Sequence, residues 1–485
     1  MISKIGISKL IEPHFFNELE FENYKVLTCN SRSLLTNTRF DLAFKLLYLE
    51  MIDKNVSFSK EAYKEHIRAF SLGGFKEPGQ ESKNSIEKFY DAFFETFNDI
   101  SLHGFDATKS LIPLSHNGSI ANGAHRVASA IILDKDVSCV KLPVCDHLYD
   151  YKFFYSRSVS CDLLDIAATK FVEYADNVYI AFVWPTAQGF DEEIERIIPN
   201  IIYRKNIKMT PNGAHNLLSQ IYFGEPWLGT VENNFRGSKN KVTECFKTFD
   251  FMRVIAFQAD SLDSVLQIKE NIRQIFNVGK HSIHITDTKD EAIRMARMIF
   301  NDNSIHFLNY AYPNKYKSTH EKLAEFKKHI DVNCIGSDDI ILDSGMVLSI
   351  YGLREASDID YLSIKSLSEY KNEGLECHDK ELEYHDEEKN ELIYNPKYFF
   401  YFNGLKFIAF NQLYRMKSNR DEVKDRNDCK MMESLIENNQ YKNIKAKLKQ
   451  SIYYEKIKLR KKITCLLKSI GLYDLVKKIY KVVLK

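Results

Sequence analysis

Apolar residues recur at helical spacing through Arg39–Met51, Ser82–Asp99 and Glu291–Phe300, which predicts three amphipathic helices. Val178–Trp184 is an unbroken run of β-branched and aromatic residues and predicts a buried strand. Met346–Tyr351 reads as strand-like, and Ile359–Ile364 as a second strand after it. Tyr398–Phe410 reads as a strand broken by Gly404, followed by one helix carrying Lys417, Arg420, Lys424, Asp425 and Asp428. From Ile457 to Leu484 apolar positions return to helical spacing, with Gly471 dividing the segment in two. Thr288-Lys289-Asp290-Glu291 has the spacing of a capping box and predicts a helix start. Turn residues cluster at Gly73–Gln80, Pro211-Asn212-Gly213 and Gly224-Glu225-Pro226, with joints near Leu148–Lys152 and Tyr310–Lys317. Strands and helices alternating in this way predict an α/β and α+β multidomain chain, divided at 1–150, 151–315, 316–440 and 441–485.

A chain of 485 residues is too long for one core, and 44% hydrophobic content is ample for several. The formal charge of +1 hides an asymmetry. Residues 441–485 hold fourteen Lys or Arg against two acidic residues, a net of +12 that leaves −11 for the other 440. Nine cysteines without a C-x-x-C pair argue against a zinc site and a disulfide framework. The start Met1–Gly6 shows no signal-peptide pattern, and no apolar run approaches a membrane span, so a cytoplasmic location is expected.

The stretch Tyr351-Gly352-Leu353-Arg354-Glu355-Ala356-Ser357-Asp358-Ile359-Asp360-Tyr361-Leu362 carries the sharpest chemistry. In an extended segment Asp358 and Asp360 point the same way, and a Mg²⁺ ion between them relieves their repulsion. Gly352 offers a triphosphate an approach without a Cβ, beside Arg354. The same residues on a hairpin facing water would carry no chemistry. A small-residue turn followed by Asp-x-Asp resembles the signature of polymerase-β-like nucleotidyltransferases. The order strand, K-x-x-R, KD-x-x-D downstream is similar to the C-terminal part of minimal nucleotidyltransferase domains. The resemblance covers roughly Ile335 to Glu437. It implies Mg²⁺ on Asp358 and Asp360, a nucleoside triphosphate such as ATP as substrate, Lys417 and Arg420 facing its phosphates, and acidic residues holding the helix. Such domains carry a third carboxylate on the later strand. Leu405–Phe410 has none, and Glu391 is the available substitute.

A second candidate lies at Asn122-Gly123-Ala124-His125-Arg126, where a strand, a turn and a short strand lead into a helix. Free N–H groups there, with His125 and Arg126 in the first turn, make a phosphate cradle. This is similar to the Gly-x-His-Arg helix start of the ParB/sulfiredoxin-like superfamily, over about residues 25–150. The resemblance implies a nucleotide site at Gly123, His125 and Arg126, and a hydrolase or small-molecule kinase activity. The cysteine of sulfiredoxin is missing, since Ala124 precedes His125. Arg39, Asp41, Lys45, Glu77 and Lys83 are the neighbouring candidates for an acid, a base or a phosphate clamp.

Residues 150–310 resemble no known family. His281 and His284 sit in an extended segment on opposite faces, a poor metal pair, whereas Lys280 and His284 suit a phosphate or sugar. The basic tail, residues 457–485, reads either as an anchor at the inner face of an anionic membrane or as a helix packed on its own chain. Nucleic acid ranks last as a partner, because the rest of the chain is acidic. Together these readings predict a nucleotide-dependent transferase that pairs nucleotidyl transfer with a second, kinase-like phosphate site. A sugar- or polyol-phosphate acceptor in surface-polysaccharide assembly is the expected setting. A nucleotidyltransferase that modifies protein or RNA, as in toxin and abortive-infection systems, and a non-catalytic nucleotide sensor are the alternatives.

Overall fold

The structure is a computed structural model and describes residues 1–77, 82–365, 374–470, 472–473 and 476–477. It divides into two compact units. The first comprises residues 1–309, 337–339 and 390–407; the second comprises 310–336, 340–389 and 408–485.

The first unit includes, in its N-terminal part, strand β1 (Val26–Asn30), helices α1 (Asp41–Glu50) and α2 (Ser57–Ser71), strand β2 (Ile112–Leu114), helix α3 (Ala124–Ile132) and strand β3 (Asp136–Lys141). β3 is the middle strand, antiparallel to β1 and parallel to β2. The expected strand, turn and helix around residue 120 are present, with Leu114 bridged to Ile120 before α3. α1 is buried around its whole circumference, polar residues included, so Asp41 and Lys45 lie inside the fold.

Helix α4 (Cys161–Tyr174) leads into β4 (Val178–Val183), β5 (Ile201–Ile207), helix α5 (Arg236–Cys245), β6 (Met252–Gln258), helix α6 (Leu262–Phe276), β7 (Ile283–Ile285) and helix α7 (Lys289–Ile299). The sheet order is β5-β6-β4-β7, with antiparallel pairings throughout. β4 is central, and this explains its unbroken apolar run. Tyr179, Ala181 and Val183 face Ile268 and Ile272 of α6, while Phe182 stacks with Trp184 at 5.7 Å. The predicted capping box is half realised: Thr288 accepts from the Glu291 N–H at 3.2 Å, but Glu291 accepts from the Asp287 N–H at 2.8 Å, one residue before the cap. Gly404 is no mere break, since Asn403-Gly404 turns the chain between strands Phe399–Phe402 and Leu405–Ile408.

The second unit contains β8 (Ile340–Leu342), α8 (Ser344–Ile350), β9 (Ile359–Ser363), β10 (Leu375–Cys377), α9 (Phe410–Arg420), α10 (Val423–Ile436) and α11 (Gln440–Ser469). β9 is antiparallel to β8 and parallel to β10. Two expectations are corrected here. Met346–Tyr351 is not a strand: Asp343 caps the buried helix α8 by accepting from the Ser344 N–H at 2.6 Å. The predicted single helix after residue 409 is two, because Asp421 adopts a left-handed conformation (φ 49°) that ends α9.

Candidate metal centre

Strand β9 carries the Asp-x-Asp pair at its start. Asp358 precedes the strand and accepts from the Ser357 hydroxyl at 3.1 Å, and Asp360 is its second residue. β10 runs parallel to β9 with Glu376 opposite Asp360. The register therefore adds a third carboxylate. One oxygen from each of Asp358, Asp360 and Glu376 lies within 4.8 Å of the other two. Asp360 is buried, Asp358 half-buried and Glu376 exposed, so the cluster opens to solvent on one side.

Around Mg²⁺, with metal–oxygen bonds of about 2.0–2.1 Å, octahedral oxygens stand about 2.9 Å apart when adjacent and about 4.2 Å when opposite. The three carboxylates need only small side-chain rotations to reach that span, and hard oxygen donors are the set that Mg²⁺ prefers. Asp358, Asp360 and Glu376 thus fit a divalent cation.

Asp360 is held in place from two directions. The Gly345 N–H, in the first turn of α8, donates to its Oδ2 at 3.2 Å, and His378 Nε2 lies 3.1 Å from its Oδ1. The other ring nitrogen of His378 is 3.1 Å from Asp343 Oδ2, and His385 Nε2 reaches that same oxygen at 3.2 Å. Burial disfavours a charged His378, yet its hydrogen bonds to Asp343 and Asp360 override burial and push its pKa up to about 10. Burial likewise opposes the Asp343 charge, but His385 and His378 hold this carboxyl well below the usual range. An imidazolium clamped between two carboxylates fixes the position of Asp360.

The basic residues expected to face phosphate are each paired with a carboxylate of the unit. Arg354 makes a fork to Asp428, with Nε at 2.8 Å from Oδ1 and the second nitrogen at 3.1 Å from Oδ2. Lys417 is buried between Asp425 at 3.1 Å and Asp428 at 2.9 Å. Arg420 pairs with Asp425 at 2.9 Å and with Glu381 at 3.1 Å. Three cations are thereby matched by three carboxylates. The expected division, basic side chains toward substrate and acidic ones toward the helix, gives way to mutual pairing that ties α9 to α10 and to the segment after α8. Gly352 is packed, not open: a Cβ there would come within 2.8 Å of the Tyr312 Cβ, and Lys315 donates to its carbonyl at 2.6 Å. Glu391, the expected substitute for a third carboxylate, belongs to the first unit, where it accepts from the Ser57 N–H and from Asn395. Asp343, Gly345, Glu376, His378 and His385 were the residues that sequence reasoning missed.

The N-terminal candidates are also internally engaged. Arg126 donates to Glu12 at 2.7 Å and to the Leu111 carbonyl at 3.3 Å. His125 Nε2 lies 2.8 Å from the Tyr63 hydroxyl, and burial pushes its pKa well below the usual value. Gly123 has φ of 89°, and a Cβ would meet Arg126 and Ile112 at 2.8 Å. Beneath them Asp41 accepts a fork from Arg39 at 2.8 and 2.9 Å and a bond from Lys45 at 2.8 Å, while Lys45 reaches His66 at 2.9 Å. Lys83 pairs with Glu77 at 2.7 Å. The cradle's side chains serve packing and ion pairing in this structure.

Searches against family models, characterised proteins and solved structures found no match for this chain.

Proposed function

We propose that the second unit is a divalent-cation-dependent nucleotidyltransferase. The observation that carries this reading is the register of β9 and β10, which sets Glu376 beside Asp358 and Asp360. A bound Mg²⁺ would neutralise triphosphate oxygens and polarise the phosphorus under attack. The residues of the chain supply the rest. Asp358, Asp360 and Glu376 would hold the ion across the paired starts of β9 and β10, where the cluster opens to solvent. The Gly345 N–H and His378 fix Asp360, so little reorganisation is needed as charge moves to the leaving group. In the reaction an acceptor oxygen forms a bond to the α-phosphorus, a hydroxyl acceptor giving up its proton to solvent while a phosphate acceptor has none to lose. The bond to the bridging oxygen breaks, so that pyrophosphate leaves with that electron pair. Arg354, Lys417 and Arg420 act as positioning residues through Asp425 and Asp428.

The acceptor class proposed is a small hydroxylated or phosphorylated molecule, such as a sugar or polyol phosphate. Incubating the full chain with labelled nucleoside triphosphates and Mg²⁺ tests the activity. Pyrophosphate release that requires the metal and is lost in Glu376→Gln supports it. Release that persists in Glu376→Gln and Asp358→Asn contradicts it.

Helix α11 adds a membrane proposal. Ile444, Leu448, Ile452, Leu459, Ile463 and Leu466 are exposed, and at 100° per residue they fall within an arc of about 100°. Ala446 and Gln450, buried, lie on the opposite side of the helix. Lysines border the stripe, so an in-plane seat on an anionic lipid surface suits it. Among the described residues no helix is long and apolar enough to cross a membrane. Leu475, Ile479, Val482 and Val483 of the predicted tail lie outside the described residues.

A further inference from the structure

The first unit has an open cavity of about 550 Å³, bordered by α5, α6, the segment Tyr222–Trp227 and the residues leading into β7. One wall is aromatic. Tyr222 and Trp227 sit with ring centroids 5.0 Å apart, and Trp227 is 46% exposed, unusual for so large an apolar ring. Tyr222 also meets His284 edge-on at 5.2 Å.

Cationic side chains line the cavity beside these rings. Lys241, Arg273 and Lys280 contribute to it, against Glu225 and Glu244. Lys241 stands 5.7 Å over the Tyr222 ring and donates to the Lys280 carbonyl at 3.0 Å. Among the described residues no carboxylate pairs with Lys241 or Lys280, in contrast to the paired cations of the second unit. Arg273 donates to Glu270 at 3.3 Å, and its Nε is buried without a hydrogen-bond partner, as is His281 Nδ1. The Arg273 guanidinium carries five N–H donors, and at the wall of this cavity it retains donor capacity that an anionic ligand can use. A volume of this size falls in the range of small-molecule sites.

We propose that this cavity binds a nucleoside phosphate, its base against Trp227 and Tyr222 and its phosphate on Arg273, Lys241 and Lys280. A flat π-system matches the exposed indole, and a phosphate dianion supplies the anionic partner that Lys241 and Lys280 lack among the described residues. The site is separate from the carboxylate cluster and does not depend on catalysis there.

Tryptophan emission gives a direct test, because the chain has two tryptophans and Trp184 is fully buried. The full chain is titrated with AMP, GMP, UMP and CMP, with adenosine and with inorganic phosphate, while circular dichroism reports folding. The expected result is saturable quenching by at least one nucleotide, absent in Trp227→Phe, weakened about tenfold or more in Arg273→Gln and Lys280→Gln, and unchanged in Asp358→Asn. Three results would each overturn the proposal: no saturable quenching at millimolar nucleotide, wild-type titrations in both Arg273→Gln and Lys280→Gln, or equal response to phosphate alone. Quenching lost in Asp358→Asn would assign the signal to the carboxylate site and overturn it as well.

Discussion

Asp360 differs from its two partners in how it is held, and the difference separates stability from chemistry. Its oxygens already accept from Gly345 and His378, whereas Glu376 is exposed and Asp358 takes one hydroxyl bond. Glu376→Gln is therefore expected to leave the denaturation midpoint in place while cutting metal-dependent turnover by about a hundredfold or more, a loss of ~3 kcal/mol of transition-state stabilisation. Asp360→Asn should cost turnover and also about 1–3 kcal/mol of stability, because His378 keeps a buried charge with one partner fewer. Matched denaturation and turnover assays distinguish the two. Asp41→Asn, in the first unit, removes the one carboxylate between Arg39 and Lys45 and should destabilise by about 3–5 kcal/mol in a denaturant titration. Lys406 gives a pH signature. Burial pushes its ammonium pKa down to about 7 from 10.5. Between those values the unfolded chain holds a proton that the folded chain lacks, so stability from this group rises with pH across that window, by at most ~1.4 kcal/mol per pH unit. Denaturant midpoints of Lys406→Met should lack that rise, and a variant with the wild-type slope would contradict it.

At the level of elements, much of the first unit was legible and the decisive part of the second was not. Periodicity located α1 and α7, the capping pattern at Thr288 located the start of α7, and the apolar run of β4 followed from its central place in the sheet. Helix α8 was misread because a short helix buried on every side shows no polar period, and Met346–Tyr351 is apolar apart from Ser349. Its start signal, Asp343-Ser344, lay just upstream. Glu376 carried no local signal at all: a three-residue strand sixteen positions along became informative only through its parallel pairing with β9. The resemblance to nucleotidyltransferases implied Lys417 and Arg420 near phosphates, but could not show that Asp425 and Asp428 pair with them. At the start of α3, Gly123→Ala should destabilise by about 1–3 kcal/mol, since the positive φ and the contact with Ile112 both reject a Cβ. A denaturation midpoint equal to wild type would show that the turn can relax.

For the whole molecule, the chain combines an acidic body with a basic terminal stretch, and two compact units with separate candidate sites. The exposed stripe of α11 predicts cosedimentation with anionic vesicles. Leu459→Glu with Ile463→Glu should sharply reduce it and leave nucleotide turnover unchanged, whereas undiminished cosedimentation would remove the lipid proposal. The central claim concerns the ion. Calorimetric titration of Mg²⁺ into the full chain, in the presence of a non-hydrolysable nucleoside triphosphate analogue, tests it most directly. Saturable binding that weakens at least about tenfold in Glu376→Gln and in Asp358→Asn is the predicted outcome. Identical isotherms for wild type and both variants would mean that the carboxylates of β9 and β10 hold no metal.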